Sequence, residues 1–263
     1  MICYNCNMMA RKIVEVHERT QYKCDTCGED WWEENMQNTK AIVLLSGGLD
    51  SATVAGIVDD IWPNSEKHAL SFIYGQKHAR ELESAKSIAA WYKMTHHIIQ
   101  LPNLEWLNSS ALVGENVAVP TARSPEEMEA GVAPTYVPGR NTIMLAIAFS
   151  LAEAIQAHTI WIGINEQDYS GYPDCRHEYV HAFNEMLKLA SSKDRIIVHY
   201  PLVFLSKKEI VESGTRKKVP YELTWSCYQG GEAPCGECDS CILRAKGFAE
   251  AGIEDPLLER ISK

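Results

Sequence analysis

The chain has 263 residues, of which 46% are hydrophobic, and its formal net charge at pH 7 is −10. This length fits one large domain or one domain with a small appendage. The acidic balance argues against direct binding of nucleic acid, because phosphate groups are neutralised by clustered Lys and Arg. We also predict no membrane association, since no apolar stretch reaches the roughly 18 residues of a membrane span and no apolar signal segment opens the chain.

The first cysteine cluster lies in residues 1–39. Two CxxC pairs with a spacer between them are typical of a zinc ribbon, in which the metal supplies the folding energy that so small a core lacks. A redox pair or unstructured cysteines are the alternative interpretation. The predicted zinc ligands are Cys3, Cys6, Cys24 and Cys27.

Two short strands are predicted inside this ribbon, over 12–16 and 20–24. The segment contains more acidic than basic residues, and four thiolates on one zinc ion add further negative charge. A basic protein surface is therefore a better partner for it than nucleic acid.

A phosphate-binding loop is predicted over 46–51, where the sequence reads SGGLDS. The apolar run 41–45 before it is typical of a buried parallel strand, and the apolar spacing over 51–61 predicts a helix. Two adjacent glycines let backbone N–H groups approach an anion, and the helix N-terminus adds partial positive charge. The motifs GxxxxGK[ST] and GxGxxG are both absent from the sequence. The alternative interpretation is a Gly-Gly turn that happens to precede a helix.

Strands and helices alternate from residue 40 to about residue 200. Further strands are predicted over 68–74, 97–101, 159–164 and 195–199, and further helices over 79–93 and 140–156. Such alternation after a phosphate loop predicts an α/β fold with a doubly wound parallel sheet, whose ligands bind outside the carboxyl ends of the strands. We therefore expect one crevice to be formed by residues 46–51, 74–78 and 163–176.

Residues 102–138 show neither helical nor strand periodicity and contain five prolines. A loop of this length inside a compact domain is usually a functional lid or a disordered segment.

The second cysteine cluster is formed by Cys227, Cys235, Cys238 and Cys241, which stand within fifteen residues. This tight spacing disfavours disulfides and predicts a structural site with four thiolate ligands. Zinc is the first choice of metal, and an iron–sulfur cluster is the competing one. Cys175 belongs to neither cluster and is interpreted as a buried, reduced thiol. Metal-type spacing of the other cysteines favours a reducing cytoplasm.

Five segments together resemble one known family: SGGLDS (46–51), YGQKH (74–78), VPGRN (137–141), DYSGYPDCR (168–176) and SCYQGGEAPCGECDSCILR (226–244). SGGxDS alone resembles the pyrophosphate loop of the ATP pyrophosphatase superfamily. The last two segments, and the order of all five, resemble the 7-cyano-7-deazaguanine synthases, the QueC family. The resemblance covers the chain from about residue 41 to residue 248. The ribbon is a departure, because the usual family member lacks it.

The resemblance implies an adenine-nucleotide α-hydrolase-like fold for residues 40–263, including the zinc site at 227–241, with the ribbon 1–39 as a separate domain. It implies a ligase that uses ATP and Mg²⁺. The carboxylate of 7-carboxy-7-deazaguanine attacks ATP to give an acyl-adenylate, ammonia displaces AMP to give an amide, and a second activation converts the amide into a nitrile. A cytoplasmic homodimer with two structural Zn²⁺ ions is expected.

A competing hypothesis keeps the ATP site but changes the acceptor. In it, the adenylated deazaguanine is transferred to an amine of a protein or another macromolecule, as is plausible for QueC-like proteins associated with antiphage defence. The acidic ribbon is the feature that favours this hypothesis.

The resemblance also implies roles for individual residues. Catalysis is assigned to Asp50, Ser51 and Arg140, with Asp50 binding or orienting Mg²⁺. ATP binding is assigned to Leu45, Ser46, Gly47, Gly48, Leu49, Asp50, Ser51, Tyr74 and Gly163. Substrate binding is assigned to Gln76, Arg140, Asn141, Asp168, Tyr169, Tyr172, Asp174 and Arg176.

Two of these choices have alternatives. Asp174 could instead cap the helix that begins near His177. His177 and His181 lie one turn apart and could shuttle protons, but a solvated helix face is the interpretation we prefer for the pair.

Overall fold

The computed structural model describes residues 10–16, 19–24, 30–34, 40–76, 80–114, 116–129, 131–166, 171–192 and 196–261. In the first three ranges, which form a small sheet of their own, only the backbone is described.

The N-terminal sheet has three antiparallel strands. β1 (Ala10–Val16) pairs with β2 (Arg19–Cys24), and β2 pairs in turn with β3 (Asp30–Glu34). The structure confirms the two predicted strands and adds the third. The predicted zinc site stays a prediction, because its ligands lie outside the described side chains: Cys3, Cys6, Cys24 and Cys27.

The main sheet has five parallel strands, which are β4 (Lys40–Leu44), β5 (Glu66–Ile73), β6 (Thr95–Gln100), β7 (Thr159–Trp161) and β8 (Ile197–His199). Their order across the sheet is β6-β5-β4-β7-β8. The chain starts at the centre, builds outward to β6 and then crosses to the other side of β4. This order confirms the predicted doubly wound sheet and places its topological switch point between β4 and β7.

The helices are α1 (Leu49–Ile61), α2 (Arg80–Trp91), α3 (Pro125–Glu129), α4 (Arg140–Ile155), α5 (His177–Ala190), α6 (Lys207–Arg216), α7 (Asp239–Ala251) and α8 (Pro256–Ile261). Side chains of α1, α2, α6 and α7 join one apolar core on one face of the sheet. Side chains of α4 and α5 join a second core on the other face. The sheet is therefore covered on both sides, as a parallel sheet requires.

Strand β4 and the residue that follows it divide their side chains between these two cores. Ala41, Val43 and Leu45 belong to the first core, and Ile42 and Leu44 belong to the second. All five are less than one-tenth exposed. Burial of each larger side chain among them stabilises the fold by about 1.5–3 kcal/mol, which explains why the run has no polar residue.

Residues 102–138, here called the strap, contain a 3₁₀ turn at Glu105–Ser109 and the short helix α3. Leu107, Leu112 and Val137 form a small core within it. Thr121 of the strap pairs with Cys238, and the Ala122 N–H donates to the Glu237 carbonyl at 2.8 Å. The described part of the strap is therefore ordered, and its role as a functional lid stays a prediction. Among the helices in the described part of the chain, none is long and apolar enough to cross a membrane.

Candidate active site

A cavity of about 290 Å³ lies where β4, β5 and β7 end. Its wall includes residues from all three segments that were predicted to converge, and the strap and the segment 226–244 complete it. The predicted site residues that line the cavity are Leu45, Ser46, Gly48, Leu49, Asp50, Ser51, Tyr74, Gln76, Arg140, Asn141, Gly163 and Tyr172.

The phosphate loop is held in shape by its own hydroxyls. Ser51 Oγ accepts a hydrogen bond from the Gly47 N–H at 3.2 Å and donates one to the Gly48 carbonyl at 3.1 Å. Ser46 Oγ lies 3.1 Å from Ser51 Oγ and accepts from the Gly48 N–H at 3.3 Å. No side chain caps the start of α1. The positive end of the α1 dipole is thus left for an anion at the place where the loop lines the cavity.

Gly47 lets two other segments pack on the loop. Its φ is +93°, and a Cβ there would come within 2.1 Å of the Glu81 carbonyl oxygen in α2. Its own carbonyl accepts a hydrogen bond from the Trp225 N–H at 2.9 Å. The structure therefore gives Gly47 a packing role, and a direct contact between Gly47 and ATP stays a prediction.

Gly163 brings the chain after β7 against the same loop. A Cβ on Gly163 would lie 3.0 Å from both the Asp50 carbonyl carbon and the Ser51 amide nitrogen. The missing side chain allows this close approach, which places the end of β7 beside the start of α1.

Asp50 pairs with a lysine that the sequence analysis missed. Lys207 Nζ lies 2.9 Å from each carboxylate oxygen of Asp50. Lys207 begins α6, whose N-terminus is closed by a capping box between Ser206 and Glu209. The pattern SxxE in the sequence indicates this helix start. Nothing local indicates that the helix brings Lys207 to the phosphate loop, 157 positions away along the chain.

Arg140 is oriented by Tyr74. Arg140 Nη1 donates to the Tyr74 hydroxyl at 3.2 Å, and the guanidinium carbon lies 5.9 Å from the centroid of the Tyr74 ring. Burial raises the pKa of Tyr74, so its hydroxyl stays neutral and available as an acceptor. Gln76 folds back on the same turn: its Oε1 accepts from the Tyr74 N–H at 2.8 Å, and its Nε2 donates to the Phe72 carbonyl at 3.0 Å.

Asp174 fixes the first turn of α4. The Asn141 N–H donates to Asp174 Oδ2 at 3.0 Å, and Asn141 Nδ2 donates to the Asp174 carbonyl at 2.9 Å. The alternative that Asp174 caps α5 is wrong, because no side chain caps α5 and the carboxylate serves the neighbouring helix α4 instead. Burial raises the pKa of Asp174. Asp174 does not itself line the cavity.

The other predicted residues of 168–176 are divided. Tyr172 is buried on the cavity wall, and its hydroxyl lies 2.6 Å from Thr135 Oγ1 of the strap. Arg176 is exposed and is not among the described residues of the wall. Asp168 and Tyr169 lie outside the described residues.

The histidine pair of α5 does not face the cavity. His177 Nδ1 lies 3.2 Å from the Tyr200 hydroxyl, and its ring packs against Phe204 at a centroid distance of 5.3 Å. Neither His177 nor His181 is part of the described wall. The two rings are partly buried, and His177 packs against neighbouring aromatic side chains, so this face of α5 is not fully solvated.

Three more charged groups reach the cavity from segments to which no such role was assigned. Arg123 of the strap forms a two-pronged ion pair with Asp239 at the start of α7. Glu81 lies in the first turn of α2, and burial raises the pKa of its carboxyl to about 7. Sequence patterns contain no signal for these three positions, because Glu81 depends on how α2 packs on the loop, and the pair Arg123–Asp239 depends on how the strap meets the segment 226–244.

The four C-terminal cysteines come together as predicted. The Sγ atoms of Cys227, Cys235, Cys238 and Cys241 all lie within 4.8 Å of one another. The N–H groups of Gln229 and Cys235 each donate to Cys227 Sγ at 3.4 Å, which favours the thiolate form. Four sulfur ligands at this separation fit one tetrahedral metal ion.

The fold and the cavity define a class of protein: a doubly wound α/β protein with a glycine-rich loop and a helix N-terminus at the switch point of its sheet, and a four-cysteine cluster nearby that could hold a metal ion. Residues 40–252 match the family described as "Queuosine biosynthesis protein QueC". The chain therefore belongs to the QueC family.

Three similar proteins carry the name 7-cyano-7-deazaguanine synthase. The one from Thermoplasma acidophilum is 47% identical over 225 residues, which cover 84% of this chain and 92% of that protein. The one from Desulfatibacillum aliphaticivorans is 47% identical over 228 residues, which cover 84% and 97%. The one from Trichodesmium erythraeum is 46% identical over 224 residues, which cover 83% and 100%.

Proposed function

We propose that this chain is an ATP-dependent ligase that converts 7-carboxy-7-deazaguanine and ammonia into 7-cyano-7-deazaguanine. The observation that carries the proposal is membership of the QueC family across residues 40–252. The cavity supports it, because an anion-binding loop, a lysine and an arginine surround one concave space.

Adenylation is the first step that the site has to support. A free carboxylate resists attack by ammonia because oxide is a poor leaving group, whereas AMP is a good one. The substrate carboxylate oxygen attacks the α-phosphorus of ATP, the new O–P bond forms, and the bond to pyrophosphate breaks. The N–H groups of residues 46–51 and the ammonium group of Lys207 are suited to neutralise the phosphate charge in this step.

Asp50 is the proposed ligand of Mg²⁺. Carboxylate and phosphate oxygens are the ligands that Mg²⁺ prefers, and Asp50 supplies the carboxylate of the phosphate loop. When bound, Mg²⁺ would shield the charge of the departing pyrophosphate. Lys207 holds the Asp50 carboxylate through both oxygens and so fixes its orientation.

Arg140 and Tyr172 are the proposed contacts to the deazaguanine. The planar guanidinium of Arg140, oriented by Tyr74, can donate two hydrogen bonds to a carboxylate or a phosphate. Tyr172 offers an aromatic ring on the wall. Asn141 and Asp174 support this contact indirectly, since they fix the turn of α4 on which Arg140 stands. Three further substrate contacts stay predictions: Asp168 at the N–H edge of the base, Tyr169 stacked on its ring, and Arg176 at the carboxylate or a phosphate.

The four C-terminal cysteines are proposed to hold a structural zinc ion, with an iron–sulfur cluster as the competing occupant. Residues 1–39 are proposed to be a separate ribbon with a second zinc ion and a protein partner. The start of the family match at residue 40 supports this division. The homodimer and the cytoplasmic location stay predictions.

The test is to incubate the purified chain with 7-carboxy-7-deazaguanine, ATP, Mg²⁺ and ammonium and to identify the products by mass spectrometry. We expect the nitrile, with two molecules of AMP for each nitrile formed, because each carboxylate oxygen leaves on one AMP. An amide that is never converted would limit the activity to the first activation. AMP formation that does not depend on the carboxylate would contradict the proposal.

Transfer to a macromolecular amine is not favoured by the relatives reported above, all of which carry the synthase name. The same assay would favour it if AMP formed from the carboxylate without amide or nitrile.

A further inference from the structure

Three carboxylates line the cavity in the described part of the chain: Asp50, Glu81 and Asp239. Two of them are held by cations. Lys207 donates to both oxygens of Asp50, and Arg123 donates to both oxygens of Asp239. Glu81 differs, because no residue within the described ranges makes a hydrogen bond or an ion pair with its carboxylate.

We propose that Glu81 is the general base that accepts the protons lost by the nitrogen during amide and nitrile formation. This inference rests on the proposed function, since it assigns a residue to two steps of that reaction. It adds a catalytic residue to a wall on which the sequence motifs mark only phosphate and substrate contacts.

The reaction needs such a base because nitrogen enters as ammonia and ends without hydrogen. In the first step the nitrogen lone pair attacks the acyl carbon, a C–N bond forms, one proton leaves the nitrogen, and the C–O bond to AMP breaks. In the second step the amide oxygen attacks a second ATP and pyrophosphate leaves. The nitrogen then loses its two remaining protons as the C≡N bond forms and the second AMP departs. Three protons therefore have to be accepted and passed on to solvent.

The position of Glu81 suits this role. Its backbone packs directly on Gly47, where a Cβ would come within 2.1 Å of the Glu81 carbonyl oxygen. Glu81 is also one of the residues that line the cavity, on the wall beside the loop that is proposed to neutralise the phosphate charge during adenylation. The acyl carbon is one oxygen atom away from the α-phosphorus, so a base for this reaction has to stand near this loop.

No histidine lines the cavity in the described part of the chain, so the residue type most often used as a general base is not available there. Two tyrosines interact electrostatically with Glu81: Tyr74 and Tyr228. Burial raises the pKa of both hydroxyls, so both stay neutral. Cys175 accepts a hydrogen bond from Asn141.

The charged groups around Glu81 support its role as a general base. Burial raises the pKa of its carboxyl, Arg140 on α4 lowers it, and Cys227 of the C-terminal segment raises it, with a net value of about 7. Near neutral pH the carboxyl can therefore both take up a proton and release it. The active base is the deprotonated form, so product formation, measured at a constant concentration of free ammonia, should fall as the pH is lowered through about 7.

The experiment separates adenylation from proton removal in the full chain loaded with its metals. Glu81→Gln keeps the size of the side chain but cannot accept a proton. Exchange of labelled pyrophosphate into ATP, driven by the carboxylate without ammonia, should stay within about threefold of wild type. Formation of amide and nitrile should fall by about 100-fold or more, the usual size of a general-base contribution.

Two further readouts separate a base from a structural role. Glu81→Gln should lose the rise of product formation with pH that wild type shows near pH 7. Glu81→Asp keeps a carboxylate on a shorter side chain, so it should recover part of the lost rate. The matched control is Glu83→Gln, which changes an exposed glutamate in the same turn of α2 and should leave both exchange and product formation unchanged.

Two outcomes would overturn the inference: loss of the exchange reaction together with product formation in both Glu81 variants, or wild-type nitrile formation by Glu81→Gln. Failure of the proposed function looks different, because wild type itself would then show no exchange with the carboxylate or no product from ammonia.

Discussion

Two segments beside the cavity are held in shape in different ways: the phosphate loop at 46–51 and the cysteine segment at 225–244. The loop is shaped locally, by hydrogen bonds among Ser46, Gly47, Gly48 and Ser51. The cysteine segment is gathered by four sulfurs and attached to distant parts of the chain, through Trp225 to the loop and through its residues 237–239 to the strap.

This difference predicts whether a substitution changes the chemistry or the stability of the protein. Replacement of the Asp50 carboxylate in the loop should remove chemistry with a small effect on the fold, because the loop's shape depends on its glycines and on the hydroxyls of Ser46 and Ser51. A changed cysteine should loosen the segment, and through it the strap and the far side of the cavity.

The largest effect is expected from Asp50→Ala, which tests the loop. AMP formation should fall at least about 100-fold, since the carboxylate that Mg²⁺ and Lys207 would share is gone. The melting temperature should fall by about a few degrees, because Lys207, whose side chain is only 11% exposed, loses its ion-pair partner while the apolar cores stay intact. Asp60→Ala, at the other end of α1 and paired with Lys217, is the matched control and should form AMP normally. A wild-type yield of AMP from Asp50→Ala would place the pyrophosphate site elsewhere.

Cys238→Ser tests the cysteine segment. Wild type should contain about two zinc ions per chain if both four-cysteine sites fill. The variant should lose one metal equivalent, melt at a lower temperature and form less AMP, because three sulfurs do not complete the structural site. Cys175→Ser should keep the full metal content, since Cys175 lies outside the cluster. Metal analysis measures the zinc content of each variant, and calorimetry measures its melting temperature. An iron absorption spectrum or an unchanged metal count would refute the zinc assignment.

Two glycines allow a direct comparison of the walls. Gly47 and Gly236 both have positive φ, at +93° and +76°, but a Cβ on Gly236 would meet nothing within 4 Å. Gly236→Ala should therefore lower the free energy of unfolding by only about 1 kcal/mol, from backbone strain. Gly47→Ala adds overlap with the backbone of Glu81 and Ala85, for a total of about 2–4 kcal/mol. Denaturant unfolding of both variants measures the difference, and equal losses would contradict the packing role of Gly47.

The smallest effect is expected from removal of the N-terminal segment. A chain that begins at Asn38 keeps both walls of the cavity and should form AMP within a few-fold of the full chain. What it should lose is a protein contact, which pull-downs with the full and the shortened chain as bait can detect. If the shortened chain is soluble and keeps its C-terminal metal but forms no AMP, residues 1–39 are part of the active site.

Patterns of residues close together in the sequence were sufficient to predict the phosphate loop, the parallel sheet and the C-terminal cysteine cluster. The run 41–45, the glycines after it and the apolar spacing over 51–61 predicted strand, loop and helix where β4 and α1 lie. The alternation that follows predicted the doubly wound sheet, and the spacing of the four C-terminal cysteines predicted that their sulfurs form one cluster. These features are readable because each depends on residues close in sequence or on a strand buried on both faces.

Only the tertiary structure decided which charged side chains meet across the cavity. Lys207 reaches Asp50 because α6 packs on the same face as α1, and Arg123 meets Asp239 because the strap pairs with the cysteine segment. Glu81 enters the cavity because Gly47 lets α2 pack on the loop. The physical reason is common to all three: a helix period shows which face is apolar, but the partner of a polar residue depends on packing between segments far apart in the chain.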